Sequence, residues 1–331
     1  MKQVPKISGR KKQRVTLGLS LHRPEMIPVM LEQMHNHDII VLEEPPSPDF
    51  GAMLNGGMTI DDYLSTLDLE FPAFSHRMCG ILRKLHREGK KIFQVEPFLK
   101  FLVDIHEFFS DGNEPDDISK NSIRYLVYVA ERNATGALLS YYHTVMSGTF
   151  EQTVGAVKRF ARKDAERFRL RDSLRAQALG SFIDNYPSVF IEAGLIHYQL
   201  WMQLRRQMKG SSRLKLVFLA NGVLKRSGIK GHLYGPGDQL TLMNVFRPNL
   251  RETERETLLA ARSLIYSKII TKNELTDNLN TLTHLRDELK CIDMVRRLNL
   301  EDCRRLFPLI RGAVTTQAYQ IVSKYLADLK W

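Results

Sequence analysis

A chain of 331 residues with 43% hydrophobic and 26% charged residues has the composition of a globular protein that can bury a large core. No apolar run approaches the roughly 18 residues that a membrane-spanning helix needs, and the apolar stretch after the basic N-terminus is too short for a signal peptide. The three cysteines show no metal-ligand spacing, and their odd number favours a reducing compartment, so we expect a cytoplasmic protein.

The net charge of +11 is concentrated in two stretches without acidic residues, 1–24 and 193–237. Such stretches favour anionic partners, for example nucleic acid, a phospholipid surface or a negatively charged substrate. The simpler interpretation is a solvated basic face together with a flexible arm over residues 1–14. Because no aromatic residues interleave with the charges of the arm, a nucleic-acid partner rests on charge alone and is not favoured.

Hydrophobic periodicity predicts strands and helices that alternate along the first part of the chain. The predicted strands are 13–21, 38–43, 91–96, 188–192 and 215–220, and the predicted helices cover 24–35, 74–88 and the residues after Pro97. Residues 49–70 contain three glycines and follow a proline-rich segment, which predicts an insertion over one end of the sheet.

Longer helices and one hairpin are predicted for the remaining residues. Residues 119–182 have a helical pattern that we expect to be broken near Gly136 and Gly148, and residues 229–246 predict a hairpin that turns at 235–238. Beyond Pro248 the composition changes to helix-forming residues. Leucine and isoleucine recur there at spacings of three and four residues from Leu275 to Ile292, which predicts an apolar helix face.

Strands separated by helices predict an α/β fold, with a mainly parallel (mixed) sheet flanked by helices and a helical C-terminal appendage. We expect three parts: a flexible basic arm over 1–14, an α/β domain over 15–248 and a helical region over 249–331. The apolar face of the helical region is compatible with packing on the sheet or with a homodimer, and packing on the sheet is favoured.

Ionisable residues stand at the ends of the first four predicted strands. They are His22, Glu43, Glu96 and Glu192, and His197 follows Glu192 by five residues. Each of these residues alone is commonly a helix cap or a surface residue. In parallel sheets, however, ligands bind outside the carboxyl ends of the strands, so the combination predicts a site at this edge of the sheet.

Carboxylates that converge need compensation, because two of them repel by roughly 4 kcal/mol at a separation of about 4 Å and an effective dielectric constant near 20. A metal ion, an arginine or raised carboxyl pKa values would supply it. Imidazole and carboxylate groups suit Mn, Zn or Co, and we expect His22, Glu43, Glu192 and His197 to be the ligands. Without a metal, a glutamate would activate water while a histidine protonates the leaving group.

Three of the residues are expected to act in catalysis: Glu43, Glu96 and Arg171. Arg171 is the arginine that we expect to face the carboxylates, although a salt bridge on a charged helix explains it equally well. The motifs of phosphate-binding loops, of nucleophile elbows and of HExxH metalloproteases do not occur in the sequence.

At these residues the sequence resembles the superfamily that contains TraB/PrgY pheromone-shutdown proteins, TIKI proteases, GumN, erythromycin esterase and the haem-binding lipoprotein ChaN. The matching segments are VTLGLSLHRPEMIP around His22, DIIVLEEPP around Glu43 and VFIEAGLIHYQL with Glu192 and His197; KIFQVEPF and RLRDSLRAQAL match more loosely. The resemblance runs from about Val15 to Trp201. The sequence departs from the family in the longer spacing between Gly18 and His22, and in the prolines and long insertion after DIIVLEEPP.

This resemblance implies a mixed sheet flanked by helices, with paired His and Glu residues at one end. Members of the superfamily are metal-dependent or metal-independent hydrolases, and ChaN-like members bind haem. We therefore expect a metal-assisted hydrolase of ester or amide bonds, with a small-molecule or peptide substrate that can be anionic. The alternative is a non-catalytic binding or regulatory protein of the same fold, whose ligand would be haem, a peptide or an anionic molecule.

Overall fold

The structure is a computed structural model that describes residues 13–208, 213–248, 253–274 and 281–329. Its strands are β1 (Arg14–Ser20), β2 (Ile39–Leu42), β3 (Lys91–Gln94), β4 (Ser188–Gly194) and β5 (Arg213–Phe218). Its helices are α1 (Ile27–His35), α2 (Phe50–Asn55), α3 (Ile60–Ser65), α4 (Pro72–Arg87), α5 (Pro97–Ser110), α6 (Ile123–Ser147), α7 (Phe150–Ile183), α8 (Tyr198–Gln207), α9 (Leu219–Arg226), α10 (Pro236–Phe246), α11 (Glu254–Ile269), α12 (Thr283–Arg296), α13 (Leu300–Ile310) and α14 (Thr315–Asp328). Two predicted features lie partly outside the described residues. They are the basic arm, of which residues 1–12 are not described, and the apolar face, of which Leu275 is one of the residues not described.

The sheet has five strands in the order β3-β2-β4-β1-β5, and all of its described pairings are parallel. The predicted α/β fold with a helical C-terminal region is therefore confirmed. The three central strands are buried on both faces, since β2 is fully buried and β1 and β4 are buried except at one end. This burial explains why their sequences are continuous apolar runs, as is typical of parallel strands covered by helices on both sides.

Two hydrophobic clusters cover the two faces of the sheet. One face packs against α1, α4 and α9, with the short helices α2 and α3 beside them. The other face packs against α8 and the C-terminal half of α7. The helices thus enclose the sheet and leave its carboxyl edge as the place where the strand-end residues meet.

Helix α7 connects the sheet to a second core. At 34 residues it is about 51 Å long for a rise of 1.5 Å per residue. Its C-terminal half packs on the sheet, and its N-terminal half packs with α10 to α14. This second core includes residues on both sides of the predicted boundary between residues 248 and 249.

Two predicted elements are wrong in the structure. Residues 236–246 form α10 and not the second half of a hairpin, because Pro236 starts the helix and the Asp238 carboxylate accepts a hydrogen bond from the Gly235 amide. The predicted break near Gly136 is absent, since Gly136 lies inside α6, whereas the break at Gly148 is confirmed. Proline and glycine mark a helix start as readily as they mark a turn, so the sequence pattern did not distinguish the two.

The basic residues of α7 are largely engaged in contacts within the protein. Arg162 lies 3.0 Å from Glu256, Arg167 contacts Asp164 and Glu131, and the Arg169 guanidinium donates to the Asn244 carbonyl. The helix therefore offers less free positive charge than its sequence suggests. None of the helices in the described part of the chain combines the length and the hydrophobicity that a membrane span requires.

Candidate functional site

The strand order brings the predicted site residues together at the carboxyl edge of the sheet. Glu43 directly follows β2, which lies between β3 and β4, so it stands between Glu96 and Glu192. The Glu43 amide donates to Glu192 Oε2 at 3.0 Å, and His22 Nε2 lies 3.1 Å from Glu192 Oε1. His22 follows β1, the neighbour of β4, and its side chain keeps 41% of its surface exposed.

Glu43 is the centre of the cluster. Its Oε1 lies 2.6 Å from His197 Nε2 and accepts a hydrogen bond from Arg171 at 2.8 Å. Its Oε2 accepts from the Gly194 amide and lies 3.7 Å from Arg175. Burial raises the pKa of Glu43, but the charges of His197, Arg171 and Arg175 outweigh burial and hold the pKa well below its usual range. Glu43 is therefore a carboxylate at neutral pH.

His197 lies between two carboxylates. Its Nδ1 is 2.5 Å from Asp172, whose other oxygen accepts a hydrogen bond from the Leu200 amide at 3.0 Å. Burial lowers the pKa of His197, but the charges of Glu43 and Asp172 and the hydrogen bonds to them outweigh burial and raise the pKa to about 9. At neutral pH the ring is an imidazolium that donates from both nitrogens, which holds Glu43 in place.

This imidazolium makes the stability of the protein depend on pH. A folded-state pKa of about 9 against a usual 6.5 corresponds to roughly 3 kcal/mol. Because the folded pKa is raised, this contribution is complete below pH 6.5 and is lost as the pH rises through about 9. We expect the difference in free energy of unfolding between wild type and His197→Gln to shrink by about that amount over this range. Urea denaturation at a series of pH values measures it, and a difference independent of pH would contradict the assignment.

Glu96 lies behind the other carboxylates and is fully buried. Its Oε1 accepts from the Phe98 amide at 3.2 Å, which caps α5, and its Oε2 lies 3.3 Å from Arg171 Nε and 3.8 Å from Arg175 Nε. Glu96 is thus placed to hold the two arginines. Its predicted catalytic role stays a prediction, as does that of Arg171, which keeps 20% of its side chain exposed.

Sequence reasoning missed two residues of this network, Asp172 and Arg175. Both are buried on α7 next to the predicted Arg171. Arg175 donates to the carbonyls of Val95 and Glu192 at 2.9 and 2.7 Å. Its spacing of four residues from Arg171 places both guanidinium groups on one helix face, and this spacing was the available signal.

The charges of the network balance without an added ion. Among the described residues that these contacts join, the acids are Glu43, Glu96, Asp172 and Glu192, and the cations are Arg171, Arg175, His197 and protonated His22. Burial lowers the pKa of His22, but the hydrogen bond and charge of Glu192, with Glu43 and Glu44 nearby, raise it to about 8. A metal ion that binds here must therefore displace the proton of His22.

One group among the described residues has the composition and spacing of a metal site: His22, Glu43 and Glu192. One ligand atom from each lies within 4.8 Å of the others. Two ligands bound to one ion at 2.0–2.2 Å are at most about 4.4 Å apart, so the spacing of the group is close to that of ligands around one ion. His197, the fourth predicted ligand, is not in this group and directs both ring nitrogens at carboxylates.

Glu44, the residue after Glu43, also faces the site, although the side chains of adjacent strand residues point to opposite faces. It lines a cavity of about 200 Å³ together with His22, Glu43 and Glu192, and it accepts a hydrogen bond from Gln94 at 2.8 Å. The alternation rule does not apply, because β2 ends at Leu42 and the chain bends at both glutamates.

The C-terminal region contacts the surroundings of His22 at two points. The Glu274 carboxylate accepts hydrogen bonds from the amides of Ala73 and Phe74 at 2.7 and 2.8 Å, and so caps the start of α4. Phe74 in turn stacks on His22, with ring centroids 5.5 Å apart. Nδ1 of His284 in α12 lies 2.9 Å from the carboxylate of Glu25, and Glu25 follows His22 by three residues. The helical C-terminal region therefore helps to hold the chain that carries His22.

A second, larger cleft opens on the other side of His22. Its volume is about 1130 Å³, and its walls come from the β4–α8 loop, from α6 and α7, and from α10 to α12. His22 lines both cavities, so it stands between the carboxylates and this open cleft. Phe168 of α7 lines the cleft and packs edge-on against His197, with the two ring centroids 5.2 Å apart.

Comparison with known proteins gives one relative of undescribed activity. The chain is 29% identical over 286 residues to an uncharacterized protein of Archaeoglobus fulgidus, and the match covers 86% of this chain and 94% of that protein. No protein-family model matches the chain, and no solved structure matches it.

Proposed function

We propose that this protein is a hydrolase of ester or amide bonds, assisted by a divalent metal ion that His22, Glu43 and Glu192 would hold. The observation that carries the proposal is the convergence of these three side chains, with ligand atoms within 4.8 Å of one another, at the carboxyl edge of a parallel sheet. Ligand sites of such sheets lie at this edge. The neighbouring cleft would give a substrate access to the half-exposed His22.

One imidazole and two carboxylates form a donor set that suits Mn, Zn or Co. Such an ion would lower the pKa of a bound water towards neutrality and polarise a substrate carbonyl. The donors fit an ion on the condition that His22 gives up its proton, so the affinity for the ion should rise with pH up to about 8.

The remaining residues would position the reacting groups. Protonated His197, held by Asp172, fixes the orientation of Glu43. Arg171 donates to Glu43 and is partly exposed, whereas Arg175 is fully buried. Of these two arginines, Arg171 is therefore the one that could approach a substrate and stabilise a developing negative charge.

The charge balance of the network also supports a second candidate, a binding or regulatory protein of the same fold. A cluster that is neutral without an ion needs no metal for its integrity. Haem stays a candidate ligand of such a protein, and an absorbance titration with haemin tests it through the presence or absence of a Soret shift. The arginines of α7 contact acidic side chains or a carbonyl within the protein, so they attract an anionic ligand less than the sequence suggested.

The test of the hydrolase proposal is a panel of ester and amide substrates, assayed after chelation and after addition of Mn, Zn or Co. We expect activity that depends on the ion and falls by at least about 100-fold in His22→Ala. His35→Ala is the matched control, because the exposed fraction of His35, 42%, is nearly the same and its partner is Glu88, outside the site. Full activity of the His22→Ala variant would contradict the proposal.

A further inference from the structure

The cleft beside His22 is large enough for a substrate with an extended group. Its volume of about 1130 Å³ exceeds the roughly 300–1000 Å³ that is usual for pockets that bind drug-sized molecules. It adjoins the candidate site, since His22, Glu70 and Phe71 line both cavities. A group bound in the cleft would therefore lie beside the carbonyl that reacts at the site.

The wall that α6 and α7 contribute is apolar and aromatic. It includes Leu138, Tyr141, Tyr142, Met146 and Phe160. Tyr142 and Met146 keep 55% and 77% of their surfaces exposed, although burial of such side chains is favourable. Exposed apolar residues that line a concave wall, as opposed to single residues scattered over a convex surface, mark a binding site for apolar groups.

The charges in this part of the cleft do not favour a strongly anionic ligand. The Arg167 guanidinium is paired with Asp164 at 2.6 Å and with Glu131 at 3.1 Å. The guanidinium of Arg23 lies over the ring of Phe71 at 4.1 Å. Lys268, which donates to the Arg311 carbonyl, and Lys272 also line the cleft, but they do not belong to α6 or α7. On the α6–α7 wall itself, apolar side chains are the dominant feature that a ligand meets.

We propose that the substrate is an ester or amide with an extended apolar group, and that this group lies along the α6–α7 wall while its carbonyl lies at His22. The inference rests on the proposed function. Hydrolysis forms a bond from the oxygen of water to the carbonyl carbon and breaks the bond to the leaving oxygen or nitrogen, which takes up a proton. The apolar group takes no part in these steps and supplies binding energy.

A series of p-nitrophenyl esters from acetate to decanoate tests the inference. Each added methylene should raise kcat/KM by about two- to fourfold until the wall is covered. The double variant Tyr142→Asp/Met146→Asp should abolish this dependence on chain length. Leu139→Asp is the matched control, because Leu139 lies on the same helix, is 61% exposed and does not line the cleft, and it should keep the dependence.

Binding of the neutral fluorescent probe N-phenyl-1-naphthylamine separates this inference from the hydrolase proposal. The probe should bind to wild type and to His22→Ala with similar affinity, and at least tenfold more weakly to the double variant. Probe binding without hydrolysis of any ester or amide of the panel would support the apolar cleft and contradict the hydrolase. Hydrolysis without dependence on chain length would overturn the inference.

Size-exclusion chromatography tests whether a second copy of the chain covers the wall instead. A wild type that is dimeric and a double variant that is monomeric would also overturn the inference.

Discussion

Replacement of Arg175 by methionine is expected to lower the free energy of unfolding by about 3–5 kcal/mol. Arg175 is completely buried, donates to two carbonyl groups and lies within 3.8 Å of the carboxylates of Glu43 and Glu96. Methionine fills a similar volume but leaves the carbonyls without their donors and the carboxylates with one cation fewer. The loss is a large part of the roughly 5–15 kcal/mol that stabilises a typical protein.

Urea denaturation at neutral pH measures this loss, with two further variants as controls. Arg175→Lys keeps the charge but not the geometry of the guanidinium, so it should recover only part of the stability. Arg304→Met makes the same change in an exposed ion pair with Glu151 and Glu301, and it should have little effect. If Arg175→Met were no more destabilising than Arg304→Met, the buried network would not stabilise the fold as described.

Glu192→Gln should weaken the binding of Mn²⁺ or Zn²⁺ by at least about 100-fold, because a neutral amide replaces a charged ligand while its oxygen can still accept from the Glu43 amide. Isothermal titration calorimetry above pH 8 measures the affinity without competition from the proton of His22. Glu44→Gln removes the same charge from the wall of the same cavity, outside the ligand group.

The comparison of these two variants decides between a specific site and general electrostatic attraction. A specific site predicts a large loss in Glu192→Gln and a change of no more than a few-fold in Glu44→Gln. Equal losses in the two variants would mean that the cavity only concentrates cations. Circular dichroism of both variants is needed to show that each keeps the fold.

The sheet and the position of the site could be predicted from the sequence, because both follow from local patterns. The apolar runs of β1, β2 and β4 have the length and composition of strands buried on both faces. Once the strands are parallel, their carboxyl ends must lie at one edge, and this brings the strand-end residues to the same edge. The direct contact of Glu43 with Glu192 depends in addition on the pairing of β2 with β4, and this strand order could not be predicted from the local patterns.

The contacts between distant segments could not be predicted. The pattern of α7 shows which residues share a helix face, but not that Asp172 faces His197 or that Arg175 enters the core. Likewise, nothing in the local sequence around Glu274 indicates that it caps α4, some 200 residues earlier in the chain. The spacing of His197 to Glu192 predicts a ligand, whereas in the structure both ring nitrogens of His197 face carboxylates.

Elemental analysis of the purified protein by plasma mass spectrometry shows whether His22, Glu43 and Glu192 hold a metal ion, as we propose. Wild type and His22→Ala are each incubated with Mn²⁺, Zn²⁺ or Co²⁺ at a pH above 8, where His22 has lost its proton, and are then freed of unbound ions. We predict close to one equivalent of one of these metals in wild type and a marked loss in His22→Ala. Absence of metal from wild type after all three incubations would contradict the claim and would leave the cluster as a charge-balanced network without an ion.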